Sequence, residues 1–178
     1  MPIFTLSYEI KEMEGVNKIY PLPTSEEFSL RLKLQCKTCN EIQAKTSVLE
    51  DGFNLENKTE IPGGKGTACL VQKCGFCSSI FSLDVISTSD QIISYTSEAE
   101  SPAFLASLEC RGCEPVEYEA GAGWAVEGSG GTVFSDVDLT SGDFCEFDEK
   151  ADVSVTVSPV VGIITTGTVA STGKKSKK

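Results

Sequence analysis

The chain has 178 residues, with 26 acidic and 15 basic side chains, eight cysteines and no histidine. That length suits one domain whose core needs no disulfide staples, and the missing histidine removes the Ser-His-Asp triad, the Cys-His pair and the mixed Cys/His zinc site. Any metal must therefore sit on thiolates or carboxylates, and a net charge of −11 opposes the phosphate neutralisation that dominates nucleic-acid affinity, so no nucleic-acid partner is expected.

Period-two alternation recurs along the chain and no long 3.6-residue period does. Phe4, Leu6, Tyr8 and Ile10 alternate with polar neighbours, as in a half-buried strand. Phe28, Leu30, Leu32 and Leu34 do so more cleanly and deliver the chain to Cys36. Further strands are expected over 42–49, 67–73, 79–86, 104–110, 116–118, 124–126, 133–139 and 153–157, with a short helix over Ser101–Leu105. The fold class read from this pattern is all-β: a single domain of short antiparallel strands, a meander barrel or a sandwich, carrying a zinc-knuckle pair. Residues 50–66 read as a long loop, and Gly128-Ser129-Gly130-Gly131 as a turn. The domain is expected to cover 1–158. From Pro159 the composition turns to Ser, Thr and Gly and ends in four lysines, so 159–178 reads as a disordered tail.

The charge is divided unevenly. Residues 1–97 carry a net −3, residues 98–152 a net −12, and residues 153–178 a net +4. The acidic segment repels nucleic acid and anionic membrane, and it reads either as a solvated face that keeps the protein soluble or as a surface that attracts a basic protein. No signal peptide is read at the start. The uncharged stretch 153–173 is too rich in Ser, Thr and Gly to span a bilayer, so no membrane partner is expected. A cytoplasmic address follows, with the nucleus as a second one, and a reducing compartment in which cysteines act as metal ligands or redox groups.

Two cysteine pairs stand out, Cys36-Lys37-Thr38-Cys39 and Cys74-Gly75-Phe76-Cys77. A Cys-x-x-Cys turn brings two sulfurs to one side of a tight loop, and two such turns complete a tetrahedron around Zn²⁺. The 34 residues between the pairs exceed the usual ribbon spacing, and an inserted strand and loop accounts for them. Four thiolates leave no open position on the metal, so the expected role is one structural Zn²⁺ per chain, with Lys37, Lys73 and Lys45 offsetting its negative charge. A third pair, Cys110-Arg111-Gly112-Cys113, reads as a redox dithiol, as a second metal half-site with Glu109 or Glu114, or as a core-facing Cys110 beside an incidental Cys113. Cys69 and Cys145 read as buried singletons. Gly63-Gly64-Lys65-Gly66-Thr67 fails the phosphate-loop spacing, and Asp136-Val137-Asp138 fails as a calcium loop because Phe147 stands where glutamate is needed.

Both cysteine pairs, Val71-Gln72-Lys73-Cys74, Glu109-Cys110-Arg111-Gly112, Gly123-Trp124-Ala125-Val126-Glu127-Gly128, Thr132-Val133-Phe134-Ser135-Asp136-Val137 and Asp148-Glu149-Lys150-Ala151 occur in the order of one family. Over residues 1–158 the chain resembles the eukaryotic CXXC motif-containing zinc-binding proteins. That resemblance implies one all-β domain with zinc on Cys36, Cys39, Cys74 and Cys77, and no established enzymatic activity. Cys113 departs from it, since an apolar residue is expected there. The functional expectation is a monomeric, non-enzymatic interaction protein that meets a basic protein partner through residues 114–148, with Trp124, Phe134, Phe144 and Phe147 as candidate anchors, Trp124 reading also as a core residue. Two alternatives stay open: a thiol redox protein or sensor using Cys110 and Cys113, and a metal-homeostasis factor.

Overall fold

Residues 1–167, apart from 51, 52, 54, 55 and 65, are described by a computed structural model. The chain forms β1 (Ile3–Ile10), β2 (Met13–Glu14), β3 (Val16–Pro21), β4 (Leu30–Cys36), β5 (Ser47–Leu49), β6 (Thr59–Glu60), β7 (Thr67–Ala68), β8 (Leu70–Lys73) and β9 (Ile80–Val85). After a 3-10 turn at Ser89–Gln91 come β10 (Tyr95–Thr96), β11 (Ala103–Arg111), β12 (Cys113–Glu119) and β13 (Trp124–Gly128). The chain then continues through β14 (Val133–Val137), β15 (Phe144–Asp148), β16 (Val153–Val157) and β17 (Val160–Thr166).

All pairings are antiparallel, and the sheets remain open at both ends, so no barrel closes. The largest sheet runs β17-β1-β11-β9-β8; beside it lie β10-β3-β13-β14, β12-β4-β5 and β15-β16-β2. One core joins them. Phe4, Leu6, Tyr8 and Ile10 point inward from β1, and Leu30, Leu32, Leu34 and Cys36 from β4, because a pleated strand sends alternate side chains to one face. In β11 the alternation slips, with Leu105 and Ala106 both buried, where the pairing with β1 shifts register between Leu6 and Ser7.

Four expectations are corrected. Residues 101–105 form no helix: Ala103–Arg111 is a strand bonded on both sides, by β1 and β9, and this long-range pairing overrides the local signal. The strand expected over 42–49 contracts to Ser47–Leu49, with Ile42 kept only as a bridge to Gln35. Cys69 is half-buried and Cys145 exposed, so they are not buried singletons. Lastly, 160–166 is not tail but an edge strand, paired with β1 from Ile10↔Val160 to Phe4↔Thr166. Its β-branched residues suit a strand, and Gly162 leaves room for the Tyr118 ring. The lysine-ended remainder, 168–178, lies outside the described residues.

Candidate metal centre

Cys36 ends β4 and Cys74 follows β8, so the two pairs belong to different sheets and meet where the sheets converge. Each pair is built by the same backbone device. In the first turn, the Asn40 N–H donates to the Cys36 carbonyl at 2.8 Å, and the Cys36 N–H donates to Glu41 O at 3.0 Å. In the second, the Ser78 N–H donates to Cys74 O at 3.1 Å and the Cys74 N–H to Ser79 O at 2.8 Å. Asn40 and Ser78, each following the second cysteine of its pair, take left-handed backbone angles, φ 61° and 62°. The two knuckles are thus conformational copies, although their intervening residues differ.

The sulfurs converge. All four lie within 4.8 Å of one another, with Cys36 and Cys77 Sγ 3.7 Å apart and Cys39 and Cys74 Sγ also 3.7 Å apart. Thiolates at about 2.3 Å from Zn²⁺ in a tetrahedron are separated by about 3.8 Å, so the arrangement fits that ion without rearrangement. The thiols also disturb one another's protonation. Backbone N–H groups of Cys77 and Phe76, with the Gln43 amide, lower Cys74 to about 6; at Cys39 the Glu41 N–H acts the same way, but desolvation and then the neighbouring sulfurs push it up to about 12. Crowded thiols that cannot all ionise together are a donor set that calls for a cation.

Gln43 was not singled out by any motif. It is buried, its Nε2 lies 3.3 Å from Cys74 Sγ, and its Oε1 accepts the Gly75 N–H at 3.0 Å. Leaving the first knuckle, it therefore grips the second. Ser47 Oγ donates to Gln72 Oε1 at 2.7 Å and ties β5 to β8 nearby. Lys37, expected to offset the charge of the site, pairs instead through its Nζ with Glu114 at 2.9 Å.

The third pair lies outside this quartet. Cys110 and Cys113 are 0% and 1% exposed on either side of the tight Gly112 turn, whose φ is +74°. Cys113 is the register partner of Cys36, and its Sγ lies 3.7 Å from Ser82 O. A hydrogen bond from Cys113, then burial, raises the Cys110 thiol, and Arg111 points to solvent without activating it. Neither sulfur joins the metal-ligand group among the described residues. Trp124, read from the sequence as either a core residue or a surface anchor, is core: it is 0% exposed and packs edge-on against Tyr8 at 5.2 Å and Phe28 at 6.4 Å. Phe134 and Phe144 pack against each other at 5.8 Å, which leaves Phe147, 52% exposed, as the open aromatic of that segment.

Comparison with known proteins agrees with this centre. Residues 7–162 match the family model described as CXXC motif containing zinc binding protein, eukaryotic. A Bos taurus protein of that description is 39% identical over 150 residues, covering 83% of this chain and 89% of its own. The Mus musculus protein is 38% identical with the same coverage. The crystal structure of C1orf123 superposes with a TM-score of 0.74 at 32% identity, over 93% of this chain and 99% of that one. A hypothetical protein from Plasmodium falciparum, 20% identical, shares the fold with a TM-score of 0.69 over 93% of this chain and 100% of its own. From its cysteine quartet to its sheet order, this chain belongs to the eukaryotic CXXC motif containing zinc binding protein family.

Proposed function

We propose that the protein is a non-enzymatic interaction module of the reducing cytoplasm, in which Cys36, Cys39, Cys74 and Cys77 hold one Zn²⁺ whose task is structural. The observation that carries this reading is the closed sulfur quartet: all four donors lie within 4.8 Å, and they come from two different sheets. A metal saturated by four thiolates has no position for a water or substrate, and here it would staple the β4 end to the β8 end. The burial of Cys110 and Cys113 favours a packing role for them over thiol exchange, which needs an accessible thiolate. With 14 acidic and two basic side chains in 98–152, the partner is a protein with a basic surface, met by a monomer.

Elemental analysis with thiol titration tests the metal part. One zinc per chain, lost in Cys74→Ser, is expected; a native protein without zinc, or with two, would overturn it. The interaction part is read by cross-linked capture from cytosol with the zinc-loaded protein. Capture that vanishes at raised salt is expected, and turnover of a thiol or disulfide substrate by the zinc-loaded chain would count against the module.

A further inference from the structure

A cleft of about 670 Å³ opens on the side of the molecule between the β1–β2 bend, β10 with its following loop, and the β16–β17 turn. Its walls carry Glu12, Glu14 and Asp143 against a single cation, Lys11. All three carboxylates are exposed, and none of the three takes part in an ion pair among the described residues. The lining is mainly polar, with the half-buried Met13 and Tyr95 side chains as apolar patches among the carboxylates. Carboxylates beside the Met13 and Tyr95 side chains suit groups with an aliphatic stem and a cationic head, as in lysine and arginine.

The backbone adds a second requirement. Strand β2 is the outermost of its sheet, bonded only to β16. The Ser158 N–H donates to Glu12 O at 2.9 Å, so Glu12 and Ser158 form a bonded pair, and the next pair, Met13↔Val157, falls at the alternate position of the ladder. The Met13 N–H and C=O therefore point away from β16, along the open edge of a strand whose Met13 lines the cleft. β10 lines the opposite side and is likewise the outer strand of its sheet. An open strand edge is the means by which folded domains take up extended peptides, main chain for affinity and side-chain pockets for selectivity.

We propose that this cleft binds an extended, lysine- or arginine-rich segment of a partner protein, which adds along the outer edge of β2 with its cationic side chains on Glu12, Glu14 and Asp143. The inference rests on the interaction reading above and gives it a place and a ligand chemistry. The acidic residues 98–152 of a second copy would meet like charge, and binding of its lysine-ended C-terminal segment is the outcome that the self-association arm of the test detects.

The test uses the full zinc-loaded chain with two synthetic octapeptides, alternating Lys-Val and alternating Glu-Val, and spermine as a free cation. Binding is read by anisotropy and by amide chemical shifts. The Lys-Val peptide is expected to shift the amides of 11–14 and 97–99. It should bind roughly tenfold more weakly to Glu12→Gln/Glu14→Gln/Asp143→Asn, and to weaken again from about 50 mM to about 500 mM salt. Shifts confined to another surface, equal binding of the Glu-Val peptide, or affinity unchanged in the triple variant would overturn the assignment. So would spermine binding as tightly as the peptide, or concentration-dependent self-association moving the same amides. Failure here is separable from failure of the module, because wild-type capture from cytosol does not depend on where the partner sits.

Discussion

Gly162 offers a test of whether the last strand belongs to the fold. It lies in β17 opposite Tyr8, and a methyl group built on it would stand 2.5 Å from Tyr118 Cβ, 2.8 Å from Cδ1 and 3.0 Å from Cγ. Carbon atoms in contact sit at about 3.5–4.0 Å, so Gly162→Ala must part β17 from β12 by about 1 Å or more. Swinging the ring away does not relieve the contact with Cβ, which moves only with the β12 backbone. Overpacking of this kind costs about 1–3 kcal/mol, and the lower entropy of an unfolded alanine returns about 0.4–1 kcal/mol, leaving about 1–2 kcal/mol of destabilisation. For a domain of this size that is a fall in Tm of about 2–8 °C. Gly167→Ala is the control: its nearest neighbour would be Thr5 Oγ1 at 3.7 Å, an ordinary contact, and it should stay within about 0.5 kcal/mol of wild type. The assay is thermal and urea unfolding of zinc-loaded protein. If Gly162→Ala unfolds at or above the wild-type midpoint, the packing of β17 on β12 is wrong.

Trp124 is the sole tryptophan and is enclosed by Tyr8 and Phe28, so Trp124→Ala should cost about 3–5 kcal/mol in urea titrations while leaving cytosolic capture by the surviving folded fraction intact. In zinc-loaded protein, iodoacetamide should modify Cys145 and then Cys69, with Cys110 and Cys113 reacting only after unfolding; mass spectrometry that finds Cys110 modified first would contradict its burial. Asp148 is held below the ordinary carboxylate range, first by the Thr132 hydroxyl at 2.8 Å and then by the N–H groups of Lys150 and Ala151. A depressed folded pKa stabilises fully above the unfolded value and loses that contribution as pH falls through the folded one. Asp148→Asn should therefore be less stable than wild type at pH 7, with the gap closing below about pH 4, as read from unfolding midpoints across that range. Gln43→Leu removes the amide donor to Cys74 and the acceptor for Gly75, and chelator competition should strip its zinc roughly 10- to 100-fold more readily than from wild type.

What could be read from the chain depended on how local the signal was. The metal quartet was legible because each half is a four-residue turn, and strands β1 and β4 because one face is core and the other solvent. Strand β3 escaped, since its buried Val16, Ile19 and Pro21 break the two-residue period at Asn17 and Lys18, where β13 shifts register. Strand β15 escaped because Phe147 and Cys145 face out while Asp148 faces in, reversing the pattern hydrophobicity would suggest. The carboxylate of Asp148 is turned inward to bind the turn at Lys150 and Ala151, an arrangement visible only once the neighbouring hairpin is in place. Strand β17 looked like linker because Gly162 and its threonines answer to Tyr118 and to β1, both remote in sequence. Gln43 carried no motif at all, because its role depends on the second knuckle arriving beside it.

The position of β1 has a consequence for how the chain is made. Strand β1 has its two neighbours at residues 103–109 and 160–166, so one of its edges stays open until residue 109 has been made and the other until residue 166 has. Such late, distant closure slows folding and prolongs exposure of strand edges to other nascent chains. The metal ligands, in contrast, are all present once residue 77 has been made. Zinc taken up at that stage would join the β4 and β8 ends before most of the sheets can form, giving the growing chain an early fixed point around which the later strands assemble.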